Sequence, residues 1–267
     1  MDEASNEQQK QNERNTMNTS TTNKLANKVA LVTGGSRSIG AAIARRLAAD
    51  GAAVAITYTS SPNKADAVVK EIQAAGGRAL AIKADSADAV AVTLAISQTV
   101  EAFGGLDILV NNAGVLAVAP LEQFTLADLD RSLAVNVRGV FVATQEAVKH
   151  MKNGGRIINI GSTNADRMPF AGGGVYAMTK SALVGLVKGL SRDLGPRGIT
   201  INNVQPGPVD TDMNPASGPF AESLKALMAL PRYGHADEIA GMVSYLASPE
   251  AAFVTGASLT IDGGFAA

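Results

Sequence analysis

The sequence predicts an α/β protein, a single domain built on a doubly wound parallel sheet with helices on both faces. Short apolar runs of four to six residues recur from residue 29 onwards, and segments with helical periodicity separate them. The runs are almost continuously apolar, which is typical of strands in a parallel sheet covered by helices on both sides. Right-handed crossovers between such strands then give a Rossmann-type arrangement.

The predicted elements alternate along the chain. The strands are 29–33, 53–58, 79–84, 107–110, 156–160, 199–204 and 257–261. The helical segments are 39–49, 64–75, 86–102, 125–150, 175–193 and 236–247. No linker divides residues 27–267, so we expect one domain of a size that α/β folds often reach.

Residues 1–26 are polar, rich in Asn, Gln, Thr and Ser, and hold no apolar segment. This composition predicts a disordered polar extension rather than a secretory signal.

Composition excludes several kinds of function. The 267-residue chain is 46% hydrophobic and has a net charge of −1, so nothing favours nucleic acid or an anionic membrane as a partner. It has no cysteine, which rules out disulfides and thiolate catalysis. His150 and His235 lack metal-ligand spacing, so we expect no metal. No apolar run approaches the roughly 20 residues that span a bilayer, and we expect a cytoplasmic protein.

The stretch Thr33–Gly40, TGGSRSIG, lies between the first strand and the first helix. A glycine-rich turn at this place presents free N–H groups of a helix N-terminus to phosphate. The glycine spacing differs from the G-x-G-x-x-G form. Ser38 occupies a place where glycine is expected, and its backbone is predicted to adopt a conformation that glycine reaches more easily.

Tyr176 and Lys180 stand four residues apart at the start of a predicted helix and therefore share a face. An ammonium beside a phenol lowers the pKa of the tyrosine, which suits an acid/base role. The alternative is a helix tyrosine with a solvated lysine. Ser162 ends the fifth strand, where its hydroxyl can bond a substrate oxygen. Asn136 lies in an otherwise apolar stretch, where a buried amide needs hydrogen-bond partners. Without a functional role, it would be a satisfied core amide or the site of a helix kink.

Several motifs follow one another in a set order: TGGSRSIG (33–40), NNAG (111–114), Asn136, Ser162, Tyr176 with Lys180, PGPVDT (206–211) and TIDGG (260–264). In this order they resemble the short-chain dehydrogenase/reductase family, over residues 25–267. The resemblance implies an oxidoreductase that transfers a hydride between NAD(P)H and a ketone or secondary alcohol.

The resemblance also implies a role for each member of a catalytic tetrad. Tyr176 protonates the carbonyl oxygen, and Ser162 orients that oxygen. Lys180 holds the ribose hydroxyls of the cofactor and lowers the pKa of Tyr176, while Asn136 positions a water that links Lys180 to solvent. Fixed donors of this kind stabilise developing alkoxide charge, and the cofactor brings the hydride.

The same resemblance implies a set of cofactor-binding residues at the strand ends. They are Gly34, Ser36, Arg37, Ser38, Ile39, Gly40, Tyr58, Ser60, Asp85, Ser86, Asn112, Ala113, Gly114, Tyr176, Lys180, Pro206, Gly207, Val209 and Thr211. Gly34 and Gly40 match the family's turn, whereas Gly35 is an extra glycine at a variable position. Asp85 either accepts a hydrogen bond from the adenine amino group or caps the following helix.

The cofactor is expected to be NADP(H) rather than NAD(H). The second strand ends in Tyr58-Thr59-Ser60-Ser61, without the acidic residue that would bind a ribose 2′-hydroxyl. Arg37 lies inside the glycine turn, where a guanidinium can meet a 2′-phosphate and stack on adenine. The alternative for Arg37 is a solvated turn residue.

The expected substrate is a small carbonyl compound or alcohol. Its contacts are predicted from Ser162, Tyr176, Val115, Met168, Phe170 and Met213. Apart from Ser162 and Tyr176, these side chains are apolar, which favours an uncharged ketone. They would equally suit packing of a lid at 213–231 that holds a short amphipathic helix. Asp166 and Arg167 either meet an anionic substrate or pair with each other.

Two other functions remain open. The first is a 3-oxoacyl-[acyl-carrier-protein] reductase, which would need a basic patch that the lid sequence lacks. The second is a regulatory protein, because residues 166–169 and 195–219 resemble short-chain dehydrogenase-like proteins that bind cyclic di-GMP and promote biofilm dispersal. The complete tetrad favours the enzyme. Family members commonly form homotetramers through the segments 125–150, 175–193 and the C-terminal strand, so we expect a homotetramer.

Overall fold

The computed structural model describes residues 23–267 and contains a sheet of seven strands. The strands are β1 (Val29–Val32), β2 (Ala53–Tyr58), β3 (Ala79–Lys83), β4 (Ile108–Asn111), β5 (Arg156–Ile160), β6 (Thr200–Pro206) and β7 (Ser258–Ile261). They lie in the order β3-β2-β1-β4-β5-β6-β7, and every neighbouring pair is parallel. The predicted fold class is confirmed. The order reverses between β1 and β4, the switch point at which such sheets bind ligands.

Eight α-helices lie among the described residues. They are α1 (Ser38–Ala49), α2 (Pro62–Ala74), α3 (Ala89–Phe103), α4 (Leu126–Leu133), α5 (Gly139–His150), α6 (Gly174–Leu194), α7 (Ala221–Lys225) and α8 (Ala236–Ala247). The segment predicted as one helix at 125–150 is divided by a π turn, Ala134–Arg138. None of these helices is long and apolar enough to cross a membrane.

Each face of the sheet has its own apolar core. One core packs α1, α2 and α8 against the sheet, and the other packs α3, α5 and α6 on the opposite side. The two cores take alternate residues of β1: Ala30 and Val32 point to the first, and Val29 and Leu31 to the second. This alternation explains why the strands read as continuous apolar runs.

Residues 1–22 lie outside the described residues, so the disordered extension predicted there stays a prediction. Residues 23–26, which the sequence placed in that extension, form a turn on the folded domain. Leu25 is buried in the first core, and its N–H donates to the Asp50 carbonyl at 2.8 Å. The folded domain therefore includes residues 23–26. The sequence did not predict this, because one leucine inside a polar stretch gives no periodic signal.

A row of hydrogen-bonded side chains, the asparagine ladder, crosses four strands through three buried asparagines, Asn111, Asn159 and Asn203, and ends at the partly buried Ser258. The Nδ2 of Asn111 donates to Oδ1 of Asn159 at 2.9 Å, and Nδ2 of Asn159 donates to Oδ1 of Asn203 at 3.1 Å. The Nδ2 of Asn203 donates to Oγ of Ser258 at 3.2 Å. These residues are direct partners in the strand register. The ladder thus fixes the strands that carry the site while satisfying buried polar groups.

Candidate active site

Ser162, Tyr176 and Lys180 come together at the carboxyl end of β5. Ser162 follows the strand, and Tyr176 and Lys180 lie on successive turns of α6. The Ser162 hydroxyl is close enough to the Tyr176 phenol to lower its pKa. The Lys180 Nζ lies 5.6 Å from the centroid of the Tyr176 ring and donates to the Ile160 carbonyl at 2.8 Å. The structure therefore brings these three predicted catalytic residues together.

The pKa values of these groups are set mainly by burial. Burial raises the pKa of the Tyr176 phenol above its ordinary value, and the nearby Ser162 hydroxyl only partly opposes this. Burial also lowers the pKa of Lys180, to about 8. The net shift of the Tyr176 pKa is upward because burial is its main cause, so the lowering expected from Lys180 stays a prediction. Four-residue spacing puts the two side chains on one face but does not reveal how deeply that face is buried.

Asn164 is a neighbour of Ser162 that sequence reasoning missed. The Ser162 Oγ donates to Oδ1 of Asn164 at 3.0 Å and accepts from the Asn164 N–H at 3.1 Å. The Asn164 Nδ2 in turn donates to Sδ of Met168 at 3.2 Å. Asn164 thus fixes the orientation of the serine hydroxyl and links it to a predicted substrate contact. A polar residue two positions after the serine was the only signal for this role in the sequence.

Asn136 lies in the π turn, and its side chain is fully used within the protein. Its Oδ1 accepts from the Val115 N–H at 2.9 Å, and its Nδ2 donates to the Val115 carbonyl at 2.9 Å and to Oγ1 of Thr179 at 3.1 Å. The amide is 1% exposed. The satisfied core amide, one of the two sequence-based alternatives, describes it, and the helix there continues through a π turn. It holds the chain after β4 against α6, beside Lys180.

The glycine turn after β1 is tightly packed, and all three of its glycines are required. Gly34 has φ +65°, the left-handed region that favours glycine. A Cβ on Gly35 would lie 2.6 Å from Cβ and Cγ2 of Ile56, and one on Gly40 would overlap the Gly34 carbonyl. Gly35 is therefore not an extra glycine at a variable position, because β2 packs directly beneath it.

Asn112 holds the glycine turn at the switch point of the sheet. Its Nδ2 donates to the carbonyls of Thr33 at 2.9 Å and Gly34 at 3.0 Å. In the other direction, Oγ1 of Thr33 accepts from the N–H groups of Asn112 at 3.0 Å and Ala113 at 3.1 Å. The side chain of Asn112 therefore braces the turn, and Gly114 follows it beside Asn136 and Lys180.

Ser38 and Arg37 contact Asp212, one residue before the predicted lid at 213–231. In the structure the lid is wider and covers 210–233, between the bridged residues Val209 and Gly234. Ser38 has φ +48°, so it does adopt the left-handed conformation expected from the sequence. Its Oγ accepts from the Asp212 N–H at 3.3 Å, and Nη1 of Arg37 lies 3.4 Å from Oδ2 of Asp212. Lys64, in the first turn of α2, reaches the same carboxylate oxygen at 3.0 Å. The Lys64 hydrogen bond, aided by Arg37, holds the pKa of Asp212 below its ordinary value.

Other predicted cofactor residues line the turn and the strand ends. Ser36 is buried, Ile39 packs on the first core, Tyr58 is half-buried and Ser60 is exposed. Ser86 follows β3 and is partly exposed.

Asp85 is already engaged by protein groups. Its Oδ1 accepts from the Ala87 N–H at 2.9 Å and its Oδ2 from Nη1 of Arg131 at 3.0 Å. Burial opposes the effect of these bonds on its pKa, but together they hold that pKa below its ordinary value. The alternative reading of Asp85 as a helix cap is wrong. Asp88 caps α3, accepting from the N–H groups of Val90 and Ala91.

The segment 206–211 forms the base of the lid. A Cβ on Gly207 would lie 2.6 Å from Cβ of Asp262, in the turn after β7, and the Pro206 carbonyl accepts from Oγ1 of Thr163 at 3.2 Å. Val209 is buried in the first core, and Oγ1 of Thr211 accepts from the Asn214 N–H at 3.1 Å. These contacts fix the chain between β6 and the lid.

The predicted substrate side is apolar and open. Val115 is partly exposed, Phe170 is 40% exposed and Met213 is 52% exposed. Arg167 does not pair with Asp166, one of the two sequence-based alternatives, and contact with an anionic substrate stays a prediction. Its Nη1 donates to the Phe265 carbonyl at 2.5 Å, so it holds the C-terminal segment instead of Asp166.

Comparison with known proteins identifies the family. The family model described as enoyl-(acyl carrier protein) reductase matches residues 34–266. The structure of a short-chain dehydrogenase/reductase from Serratia marcescens BCRC 10948 is 65% identical with a TM-score of 0.90, covering 91% of this chain and 99% of that chain. The chain belongs to the short-chain dehydrogenase/reductase family.

Further similar proteins differ in what their names describe. A Burkholderia cenocepacia short-chain dehydrogenase, solved in complex with NADP, is 57% identical with a TM-score of 0.91, covering 92% of this chain and 100% of that chain. The cyclic-di-GMP-binding biofilm dispersal mediator protein of Escherichia coli is 50% identical, covering 90% and 98% of the two chains. A Synechocystis 3-oxoacyl-[acyl-carrier-protein] reductase is 41% identical, covering 90% and 97%.

Proposed function

We propose that this family member is an NADPH-dependent carbonyl reductase that interconverts ketones and secondary alcohols, with Tyr176 as its acid/base. One observation carries the proposal: Ser162, Tyr176 and a buried Lys180 converge at the end of β5, beside Gly114 and Asn136. Hydroxyl, phenol and ammonium donors gathered at one point suit an oxygen on which negative charge develops.

The residues present fit a nicotinamide cofactor. An ammonium has three donors, and that of Lys180 makes one hydrogen bond among the described residues, to Ile160. Its other N–H groups are available to ribose hydroxyls. The glycine turn leads directly into the N-terminus of α1, where phosphate binds well. When bound, the nicotinamide supplies or accepts the hydride.

The direction of the pKa shifts supports proton donation in the reductive direction. Because burial raises the pKa of Tyr176, its phenol is protonated at neutral pH and has a proton to give to a carbonyl oxygen. Lys180, with a pKa of about 8, is mostly charged at pH 7 and stabilises the phenolate left behind. Ser162, held by Asn164, donates to the same oxygen once it turns from Asn164.

Turnover of uncharged ketones with NADPH tests the assignment. We expect wild-type activity on at least some members of a ketone panel, and its loss in Tyr176→Phe with NADPH binding retained. Tyr245→Phe is the matched control, because Tyr245 is a partly exposed tyrosine on α8. Full activity in Tyr176→Phe would refute the acid/base role.

We propose NADP(H) as the cofactor on the basis of Arg37 in the glycine turn and the absence of an acidic residue at 58–61. The similar Burkholderia protein, solved with NADP, supports this. Arg37→Ala should raise the KM for NADPH far more than that for NADH, because only NADPH carries the 2′-phosphate. An equal rise for both cofactors would contradict the preference.

A 3-oxoacyl-[acyl-carrier-protein] reductase remains the second candidate, supported by the Synechocystis relative. An acidic carrier protein needs free cations near the site. Both Lys and Arg side chains of the lid are paired, however: Lys225 with Glu222 at 2.8 Å and Arg232 with Glu238 at 2.7 Å. Similar kcat/KM for a free and a carrier-bound 3-oxoacyl group would support the carbonyl reductase.

A cyclic-di-GMP-binding regulator is the third candidate, supported by the Escherichia coli relative. Sharing a fold and motifs does not transfer a ligand, and here the catalytic side chains are assembled. Binding of cyclic di-GMP without turnover of any ketone would favour the regulator over the enzyme.

We propose a homotetramer from the exposed apolar side chains on the segments expected at the interfaces. They are Leu126, Phe141 and Met178 and, shortly before β7, Phe253, which is 103% exposed. Apolar surface of this extent marks interaction sites more often than free surface. Light scattering that gives a monomer would overturn this proposal.

A further inference from the structure

We propose that Arg37 and Lys64 form a two-cation site for the 2′-phosphate of the cofactor, and that the Asp212 carboxylate occupies this site until the phosphate replaces it. The inference rests on the proposed use of NADP(H). It adds Lys64 as a specificity-determining residue and Asp212 as an internal competitor. Neither residue belongs to a motif of the sequence.

Three separate segments meet at one carboxylate oxygen. Oδ2 of Asp212 lies 3.4 Å from Nη1 of Arg37 and 3.0 Å from Nζ of Lys64. Arg37 belongs to the glycine turn, Lys64 to the first turn of α2, and Asp212 to the lid. The Asp212 N–H also donates to Oγ of Ser38 at 3.3 Å. The lid therefore crosses the glycine turn and holds an anion between the two cations.

The position suits a 2′-phosphate. The ribose 2′ group of a dinucleotide lies beyond the end of β2 in sheets of this kind. The chain between β2 and Lys64 contains no acidic residue, and Lys64 lies only six residues after Tyr58, the last residue of β2. The two cations thus flank the expected place of the phosphate, and the one acidic group beside them comes from the lid.

The charges favour exchange of the carboxylate for a phosphate. Arg37, Lys64 and Asp212 together carry two positive charges and one negative charge. A phosphomonoester carries about −1.5 to −2 at pH 7 and offers three acceptor oxygens, so it matches two cations better than one carboxylate does. Guanidinium groups also bind phosphate through two parallel hydrogen bonds.

The carboxylate can leave at little cost. The side chains of Arg37 and Lys64 are each 56% exposed, and that of Asp212 is 49% exposed. Ion pairs this open to solvent contribute little to stability. The exchange would release one of the contacts that hold the lid to the glycine turn, so binding of the adenosine end of the cofactor would affect the freedom of the lid over the substrate side.

Two small nucleotides that differ in the 2′-phosphate distinguish binding of this phosphate from binding of the adenosine portion. Binding of adenosine 2′,5′-bisphosphate and of adenosine 5′-monophosphate is measured by calorimetry on the full chain. We expect Lys64→Gln to weaken the bisphosphate about fivefold, as for loss of one exposed charge contact, with the monophosphate little changed. Asp212→Asn should tighten the bisphosphate by a few fold, because the cations lose their internal partner.

Matched controls come from the same elements. Lys70→Gln removes an exposed charge further along α2, and Asp210→Asn removes a lid carboxylate that accepts from the Ala216 N–H instead of meeting the two cations. Both should bind the two nucleotides as the wild type does. Unchanged thermal unfolding of all four variants would show that the effects are local.

The outcomes distinguish this inference from the proposed function. If Arg37→Ala loses the preference for the bisphosphate but Lys64→Gln keeps it, the two-cation site is wrong and the NADP(H) proposal stands. Weaker binding of the bisphosphate in Asp212→Asn would mean that Asp212 positions the cations, which overturns the exchange. Equal binding of both nucleotides by the wild type would overturn the NADP(H) preference itself.

Discussion

Truncating the centre of the asparagine ladder should destabilise the protein far more than truncating its end. Asn159→Ala removes two buried amide hydrogen bonds and leaves Oδ1 of Asn203 without its ladder donor. Asn111 keeps a bond to Oγ1 of Thr144 at 3.2 Å, so only one buried group loses its ladder partner outright. The unsatisfied Asn203 acceptor costs about 1–3 kcal/mol, which includes its own lost bond, and the lost bond to Asn111 costs about 1 kcal/mol. We therefore expect a loss of about 2–4 kcal/mol.

Ser258→Ala is the matched end variant. It removes one hydrogen bond, from Nδ2 of Asn203, at a strand that is partly exposed, where water can replace the hydroxyl. The expected loss is about 1 kcal/mol or less. Urea unfolding followed by circular dichroism at one fixed protein concentration gives both values. Equal losses in the two variants, or a loss below about 1 kcal/mol in Asn159→Ala, would refute the reasoning.

The remaining predictions concern the glycine turn and Lys180. Gly35→Ala should cost about 1–3 kcal/mol in urea unfolding, because its Cβ would lie 2.6 Å from Ile56; no loss would mean that β2 can shift. Ser38→Gly should raise Tm by a few degrees by relieving φ +48°, with activity within about tenfold of wild type, and a lost affinity for cofactor would reveal a specific role for the hydroxyl. Because the pKa of Lys180 is lowered to about 8, the unfolded chain binds more protons than the native protein above that pH. The wild type should therefore gain stability relative to Lys180→Met as the pH rises from about 8 towards about 10.5, and a flat difference across urea titrations would argue against a buried ammonium.

The fold could be predicted from the sequence because its signal is local. Each strand is an apolar run and each long helix has a clear period, so their order and the parallel sheet follow directly. The convergence of Ser162, Tyr176 and Lys180 followed from the same topology, since all three lie at the carboxyl end of one strand or on the helix that packs there.

The features that the sequence did not predict depend on contacts between distant segments. The ladder joins residues on four strands, and the meeting of Lys64 with Asp212 joins α2 to the lid. Position 35 must be glycine because Ile56 on β2 leaves no room for a side chain there, and nothing in the sequence of the turn shows this. The rise in the pKa of Tyr176 on burial has the same origin, because burial is set by the whole fold while four-residue spacing records only one helix face.

The π turn at Ala134–Arg138 also changes how this region responds to insertion and deletion. An α-helix rotates by about 100° with each residue, and a π turn holds one residue more than the α-helical path needs. Deleting one residue of the turn would give α4 and α5 one continuous helical phase. The face of α5 that buries Ala143 and Ala147 would then rotate away from the second core, or Asn136 would leave Val115. The length of this segment is thus constrained more strictly than the identity of its side chains.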